Sequence, residues 1–241
     1  DNSTAENNTT IYTISESPID GKVIWVGTDD GLVQVTRDSG ANWVNVTASI
    51  PDLPEGLWIS HVEASPHEVG TAHVTVDGHR SGDMNTYVYR TTDYGASWES
   101  IVGEGLDSFA HVVVQDLVNP ELLFAGTETG IYITLDGGQQ WARFKGGVPR
   151  VPVRDIDIHP REHDLIIGTH GRGIYILDDL TPLRSLTSDV LDSSFVLLPS
   201  RDAVMMIGGG QAWFGGHDEF SGDNPPEAAS IFFYQKKRHI F

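Results

Sequence analysis

Thr36-Arg37-Asp38-Ser39-Gly40-Ala41-Asn42-Trp43 returns twice further along the chain, as Thr91-Thr92-Asp93-Tyr94-Gly95-Ala96-Ser97-Trp98 and as Thr134-Leu135-Asp136-Gly137-Gly138-Gln139-Gln140-Trp141. In each copy an Asp is followed by a Gly at the second position after it and by a Trp at the fifth, with alternating apolar residues on both sides. A carboxylate at the mouth of a tight turn accepts hydrogen bonds from the turn's own N–H groups, and Gly supplies the positive φ that other residues resist. The Trp, first residue of the returning strand, is large enough to wedge under the hairpin and cover it. An acid repeated in every unit fastens structure, so Asp38, Asp93 and Asp136 are read as structural rather than catalytic.

Working outward, each box closes a unit of four short strands. The first unit reads as Ile11–Pro18, Val23–Thr28, Leu32–Thr36 and Trp43–Thr47, and the second as Trp58–Pro66, Ala72–Asp77, Thr86–Thr91 and Trp98–Val102. The third reads as Ala110–Pro120, Leu122–Thr127, Ile131–Thr134 and Trp141–Phe144. A fourth holds Val153–Pro160, Leu165–Thr169 and Ile174–Leu177, but at Asp178 the Gly and Trp of the box are missing, and Ser194–Pro199 is the candidate outer strand. Units of this period with four strands each are propeller blades. The expectation is an all-β chain with a partial propeller over residues 1–200. Residues 201–241 then form a linker and the first strand of a second β domain, with Arg201–Ile207 as one more candidate strand and Ala229–Lys237 left without a pairing partner. Four blades leave two open sheet faces, so further blades are expected from the same protein or another chain, and the segment alone is not expected to be a stable monomer.

Composition narrows the function. The chain has 241 residues, with 34 acidic against 15 basic side chains and a formal net charge of −19. Such a surface repels nucleic-acid phosphates and anionic membranes, and neither is expected as a partner. There is no cysteine, which removes disulfides, thiolate metal sites and a Cys nucleophile. No apolar run approaches the ~18 residues of a transmembrane helix. The start at Asp1, without Met or signal peptide, suggests a piece of something longer, and an exported, extracellular or periplasmic setting is expected. Sequons begin at Asn2, Asn7, Asn8 and Asn45 and matter only where the source glycosylates.

Chain direction assigns the candidate site. In an up-and-down blade the turn between strands two and three lies at the end opposite the Asp boxes. That end collects Asp29-Asp30-Gly31, the loop Asp77-Gly78-His79-Arg80-Ser81-Gly82-Asp83, Glu128-Thr129-Gly130 and His170-Gly171-Arg172-Gly173. These turns are richer in charge than turn geometry requires. Asp29, Asp30, Asp77, His79, Arg80, Glu128, His170 and Arg172 are therefore the candidate ligand-binding residues, expected around one mouth of a central channel. His61, His73 and His111 fall on strands and read as packed or surface residues. The carboxylates with His79 and His170 could hold Ca²⁺ or Zn²⁺, yet no HExxH or EF-hand pattern is present, so no cofactor is expected, with Ca²⁺ left open.

The repeated motif, with Asp38, Gly40 and Trp43, Asp93, Gly95 and Trp98, and Asp136, Gly138 and Trp141, resembles the Asp box, or BNR repeat. That repeat is found in sialidases, xyloglucanase-type glycosidases and sortilin-like receptor ectodomains, all β-propellers. Gly168 to Arg184, GTHGRGIYILDDLTPLR, sharpens the resemblance toward bacterial sortilin-like BNR proteins labelled glycosyl hydrolases. So do GTDDG at Gly27 to Gly31, GTETG at Gly126 to Gly130 and VPVRD at Val151 to Asp155, while Gly78 stands where that group is expected to carry Arg. The resemblance carries over no catalytic residues. Sialidases expect three arginines, and the loops offer Arg80 and Arg172 only. Two readings follow: a non-catalytic binding or scaffolding module for a carbohydrate or protein ligand, or a glycosidase-like hydrolase whose site is shared with a missing propeller.

Overall fold

The computed structural model describes residues 9–203 and 228–237. Four antiparallel meanders follow one another. The first is β1 (Ile11–Glu16), β2 (Ile24–Thr28), β3 (Val33–Thr36) and β4 (Val44–Asn45), and the second is β5 (Trp58–Ala64), β6 (Ala72–Asp77), β7 (Tyr87–Thr91) and β8 (Glu99–Ser100). The third is β9 (Ala110–Gln115), β10 (Leu123–Thr127), β11 (Gly130–Thr134) and β12 (Ala142–Arg143), and the fourth is β13 (Val153–Ile158), β14 (Leu165–Thr169) and β15 (Ile174–Leu177). Each sheet packs face to face on the next, as propeller blades do, so the core lies between blades rather than inside one. The all-β propeller reading of the sequence holds. Among the described residues no helix is long and apolar enough to cross a membrane.

Two expectations for the chain's second half do not hold. The fourth sheet has three strands, because β16 (Phe195–Leu198) pairs with β17 (Phe232–Gln235) as a separate ribbon. The strand expected to lack a partner therefore has one, and the ribbon joins the two sides of the expected boundary at residue 200. Between β15 and β16, α1 (Thr181–Arg184) and α2 (Ser188–Asp192) occupy what reads as linker. They hold because Arg184 forks onto the fully buried Asp116 of blade three at 2.8–3.0 Å, while Asp116 also accepts from Val118 and Asn119 N–H. Residues 201–203 form no strand, and the rest of the candidate strand to Ile207 lies outside the described residues.

The box turns share one geometry, and Thr is an unforeseen part of it. Asp38, Asp93 and Asp136 each accept from the hydroxyl of Thr36, Thr91 or Thr134, two residues before, at 2.7–2.9 Å. Each also accepts from the N–H four residues on, Asn42, Ser97 or Gln140, at 2.8–2.9 Å. The same Thr oxygen takes the N–H of the box Gly at 2.9–3.0 Å. The Trp touches its own turn, Trp141 Nε1 donating to Gly138 O at 3.1 Å, and it also reaches the preceding blade. Trp141 Nε1 donates to Ile101 O at 2.9 Å, and Trp98 meets Trp25 edge to face at 6.0 Å. The box Gly sits at the same joint, where a Cβ on Gly95 would lie 2.8 Å from Val46 and one on Gly138 2.8 Å from Ile101. Trp43 has no preceding blade among the described residues and is 40% exposed, against 8% and 5% for Trp98 and Trp141.

Edge strands carry unpaired N–H groups that need acceptors. On β5 the N–H of Val62 is taken by Thr13 Oγ1 at 3.1 Å and that of Ala64 by Ser15 Oγ at 2.9 Å, both from blade one. Gln115 N–H on β9 is taken by Glu63 Oε2 at 2.8 Å. Blade three presents apolar Val112 and Val114 at these positions, and blade four satisfies itself through Asp155 and Asp157, which accept from Ile156 and Ile158 N–H. Burial between blades two and three pushes the Glu63 carboxyl up to about 8, against the Gln115 N–H that lowers it and with Asp157 adding to the rise. Burial likewise pushes His73 down to about 3 and His61 down to about 4, and both nitrogens of the fully buried His73 lack a partner among the described residues.

Two predictions follow from these contacts. Asp93→Ala and Thr91→Val should each lower stability by about 1–3 kcal/mol, read by urea unfolding, because turn N–H groups lose their acceptor. Glu63 holds a proton in the fold that the unfolded chain releases above its ordinary value of 4.5. Its contribution is thus complete below that pH and lost as pH rises toward 8. The melting temperature of Glu63→Gln relative to the parent should climb between pH 5 and pH 9; a constant difference would refute the buried neutral acid. The neutral histidines act on the other limb, losing their contribution as pH falls from 6.5 toward 4 and 3.

Candidate functional site

Each innermost strand carries a β-bulge at the end opposite the Asp boxes. Register passes from Ile11–Thr28 to Thr13–Gly27 in blade one and from Ile59–Val76 to His61–Thr75 in blade two. It passes from Ala110–Thr127 to Val112–Gly126 in blade three and from Val153–Thr169 to Asp155–Gly168 in blade four. The extra residues are Tyr12, Ser60, His111 and Arg154. A bulge bends its strand and re-aims the added side chain. All four side chains line one cleft, open to solvent, whose remaining wall comes from Trp58, Asp77, His79 and Arg80.

His111 is the hub of this cleft. Its ring is almost fully buried, with Nε2 3.2 Å from Glu128 Oε2 and with Nδ1 3.3 Å from Asp77 Oδ2 and 3.1 Å from Arg154 Nη1, so that Nδ1 donates to the first or accepts from the second according to its tautomer. Asp77 Oδ1 also lies 2.6 Å from His79 Nδ1 and accepts from His79 N–H at 3.0 Å. Burial alone would raise the Asp77 carboxyl, but the hydrogen bonds from His111 and His79 outweigh it and hold it down at about 2. The His79 ring stacks on Phe109 at 5.3 Å, and Phe109 meets His111 edge on at 5.2 Å. Glu128 is half-exposed and lies 3.5 Å from Arg154 Nη2. The Arg80 guanidinium lies over Trp58, with Cζ 3.9 Å from the ring centroid, and Tyr12 tilts against the same indole at 5.3 Å.

The structure treats the sequence candidates unequally. Asp29, Asp77, Glu128 and His170 occupy one equivalent position, each the residue after the second-strand partner of the bulge, Thr28, Val76, Thr127 or Thr169. Only Asp77 and Glu128 join the hub, with His79 and Arg80 alongside. Asp29 is spent on the entry to β1, accepting from Thr9 and Thr10 N–H at 2.9 and 2.7 Å. Asp30 accepts from the Thr28 hydroxyl within its own turn. His170 and Arg172 are exposed and line no part of the cleft, so blade four contributes Arg154 from its inner strand instead. His111 is packed on its strand, as the sequence reading had it, and its buried ring also lies against Asp77, Glu128 and Arg154. Among the described residues no group of three or more His, Asp or Glu is placed to hold a metal ion.

The signal for the missed residues was in the alternation. Apolar residues fall three apart rather than two at Ile11/Ile14, Ile59/Val62 and Val153/Ile156, whereas in blade three the apolar Val112 beside Val113 hides the slip. A strand with period two can absorb that slip only by a bulge, and the residue after the first apolar one is the one re-aimed.

Fold and site together define a segment of an Asp-box β-propeller with a charged cleft at the mouth formed by its inner strands. Residues 86–202 match the sortilin-Vps10 family model, described as sortilin, neurotensin receptor 3. The chain is similar to the oligoxyloglucan-reducing end-specific xyloglucanase of Emericella nidulans, 30% identical over 94 residues that cover 39% of this chain and 11% of the relative. Among solved structures it is similar to an ancestral GH74 enzyme, with TM-score 0.52, 18% identity, and 67% of this chain and 22% of that chain covered. It is also similar to the GH74 enzyme of Niastella koreensis, with TM-score 0.54, 15% identity, and 72% and 23% covered. The chain therefore spans about a tenth of the curated relative and under a quarter of these two structures, and at such identities the structural likeness concerns the fold alone.

The hub predicts a contrast between two histidines. His111→Phe should lower stability at neutral pH by about 2–3 kcal/mol, because a buried carboxylate loses a partner. His170→Phe, on an exposed turn, should change it by less than about 0.5 kcal/mol. Chemical denaturation of both variants measures the difference.

Proposed function

We propose that this chain forms four blades of a non-catalytic, carbohydrate-binding propeller in an exported protein, with the ligand seated in the cleft between Tyr12, Trp58 and Arg154. The observation that carries this reading is the state of the cleft's acids. Glycoside hydrolysis needs one carboxyl kept protonated as general acid beside a second carboxylate. Asp77 is instead held down at about 2 and committed to two histidines, and Glu128 is committed to His111 and Arg154. What remains for a ligand is an aromatic pair with guanidinium and imidazole groups, a surface that stacks and hydrogen-bonds without transferring a proton.

Further blades of the same protein are the proposed partner. Ile14 is 66% exposed whereas its equivalents Val62, Val113 and Ile156 are 2%, 0% and 5%, and Ile174 is 72% exposed whereas its equivalent Ile131 is fully buried. Both outer faces thus carry interblade side chains with nothing upon them among the described residues.

The hydrolase remains the second reading on one observation. Asp77 and Glu128 flank a single imidazole, which brings the two carboxyl groups within roughly 9 Å, inside the reach of an inverting pair. A glycan array on the intact protein, followed by reducing-end assays on each hit, separates the readings. Binding without turnover is expected, with Trp58→Ala weakening it about tenfold, on the order of 1.4 kcal/mol. Product release that is abolished by Asp77→Asn would overturn the binding reading.

A further inference from the structure

The geometry points to a sugar chain that bears carboxylates, a uronate-containing oligosaccharide, as the ligand class, with Arg80 reading the carboxylate; this rests on the carbohydrate-binding reading above. Charge accounting in the cleft singles Arg80 out. Asp77 lies against His79 and His111, and Glu128 against His111 and Arg154. Arg80 forms no ion pair among the described residues, in a chain where acids outnumber bases 34 to 15. The nearest acid in its own loop, Asp83, is spent on Tyr87 Oη at 2.9 Å and Asn85 N–H at 2.9 Å.

The guanidinium is also held ready. Its Cζ lies over the Trp58 ring and its N–H groups make no hydrogen bond among the described residues, which leaves them to grip a carboxylate through two parallel bonds. The backbone beneath is fixed as well. Residues His79–Ser81 form a 3₁₀ turn in which Gly78 O accepts from Ser81 and Asp83 N–H at 2.9 and 3.1 Å. Gly82 closes the turn at φ 83°, a conformation that glycine adopts freely. Beside it, Tyr12 is 55% exposed against the same indole and offers a flat apolar surface to a pyranose ring. A neutral sugar would satisfy the platform and leave the guanidinium edge to water, whereas a uronate fills both. With a net charge of −19 the protein repels polyanions at range, so selection has to come from this short-range pair rather than from steering.

The test is calorimetric titration of the intact protein with oligogalacturonate, glucuronate and alginate oligomers, with the methyl ester of the oligogalacturonate, and with neutral xyloglucan oligosaccharides. Tighter binding of at least one uronate than of neutral chains is expected, with Arg80→Ala costing at least tenfold for the uronate and little for the neutral chains. Arg80→Lys should restore only part, since an ammonium makes no paired fork. Arg37→Ala is the control, because Arg37 stacks on Tyr94 at 4.0 Å in the same manner at the opposite end and should leave binding unchanged. Thermal melts of each variant confirm folding. Equal affinity for acid and methyl ester, or an Arg80→Ala loss equal for charged and neutral chains, overturns the inference and leaves the carbohydrate reading standing. Binding of no glycan at all overturns both. So does Arg80-dependent binding of a peptide C-terminal carboxylate with no uronate bound.

Discussion

A four-stranded blade cannot bury either of its faces alone, and everything in this chain follows from how one blade is joined to the next. The joint has three parts that recur in register. At the inner edge, side chains of one blade accept the stranded N–H groups of the next, as Thr13 and Ser15 do for Val62 and Ala64. In the middle, glycines let inner strands approach: a Cβ on Gly27 would fall 2.3 Å from Ile59, and one on Gly126 2.8 Å from Val153. At the outer corner the box Trp hooks backward, Trp141 to Ile101 and Trp98 to Trp25. Each buried aromatic or aliphatic side chain in these joints contributes about 1.5–3 kcal/mol, and the three core clusters lie between blades.

This explains which parts of the fold were legible in the sequence. The box repeats, the strand alternation and the charged turns each depend on neighbours within ten residues, and the strands fall close to where the pattern sets them. The backward reach of the box Trp was not legible, because that contact is to another blade some forty residues earlier, in the case of Trp141 and Ile101. The pairing of Phe195–Leu198 with Phe232–Gln235 was not legible for the same reason: an alternating apolar strand says that it needs an edge, not which edge it finds. Thr36, Thr91 and Thr134 stood in the quoted repeat, yet their hydroxyls, each serving both the Asp and the box Gly, act through geometry that the residue type alone does not reveal.

Of the eight residues that sequence reasoning offered for the candidate site, Asp77, His79, Arg80 and Glu128 come together at the cleft, from turns or strand ends. As many again come from the inner strands, through Tyr12, Ser60, His111 and Arg154. Equivalent turn positions diverge because their surroundings do. Asp29 meets the backbone of Thr9 and Thr10, whereas Asp77 meets an imidazole that a bulge has turned toward it.

The bulge also reconciles rigidity with variety at the mouth. Residues elsewhere on the inner strands are constrained, since every second side chain either packs in a joint or accepts a neighbour's N–H. The added residue of each bulge has no register partner across the sheet, and where it touches a neighbouring blade it does so by polar contacts at the mouth, as Ser60 does with Ala110 O and Arg154 with His111. It can therefore be Tyr, Ser, His or Arg without disturbing the joint that holds its blade. A propeller built this way presents one variable side chain per blade on a fixed ring, and the charged turns fill in around them. On the binding reading proposed above, the candidate site draws on four bulge positions and one arginine set over an indole, while the Asp boxes at the far end fasten the turns of the same blades.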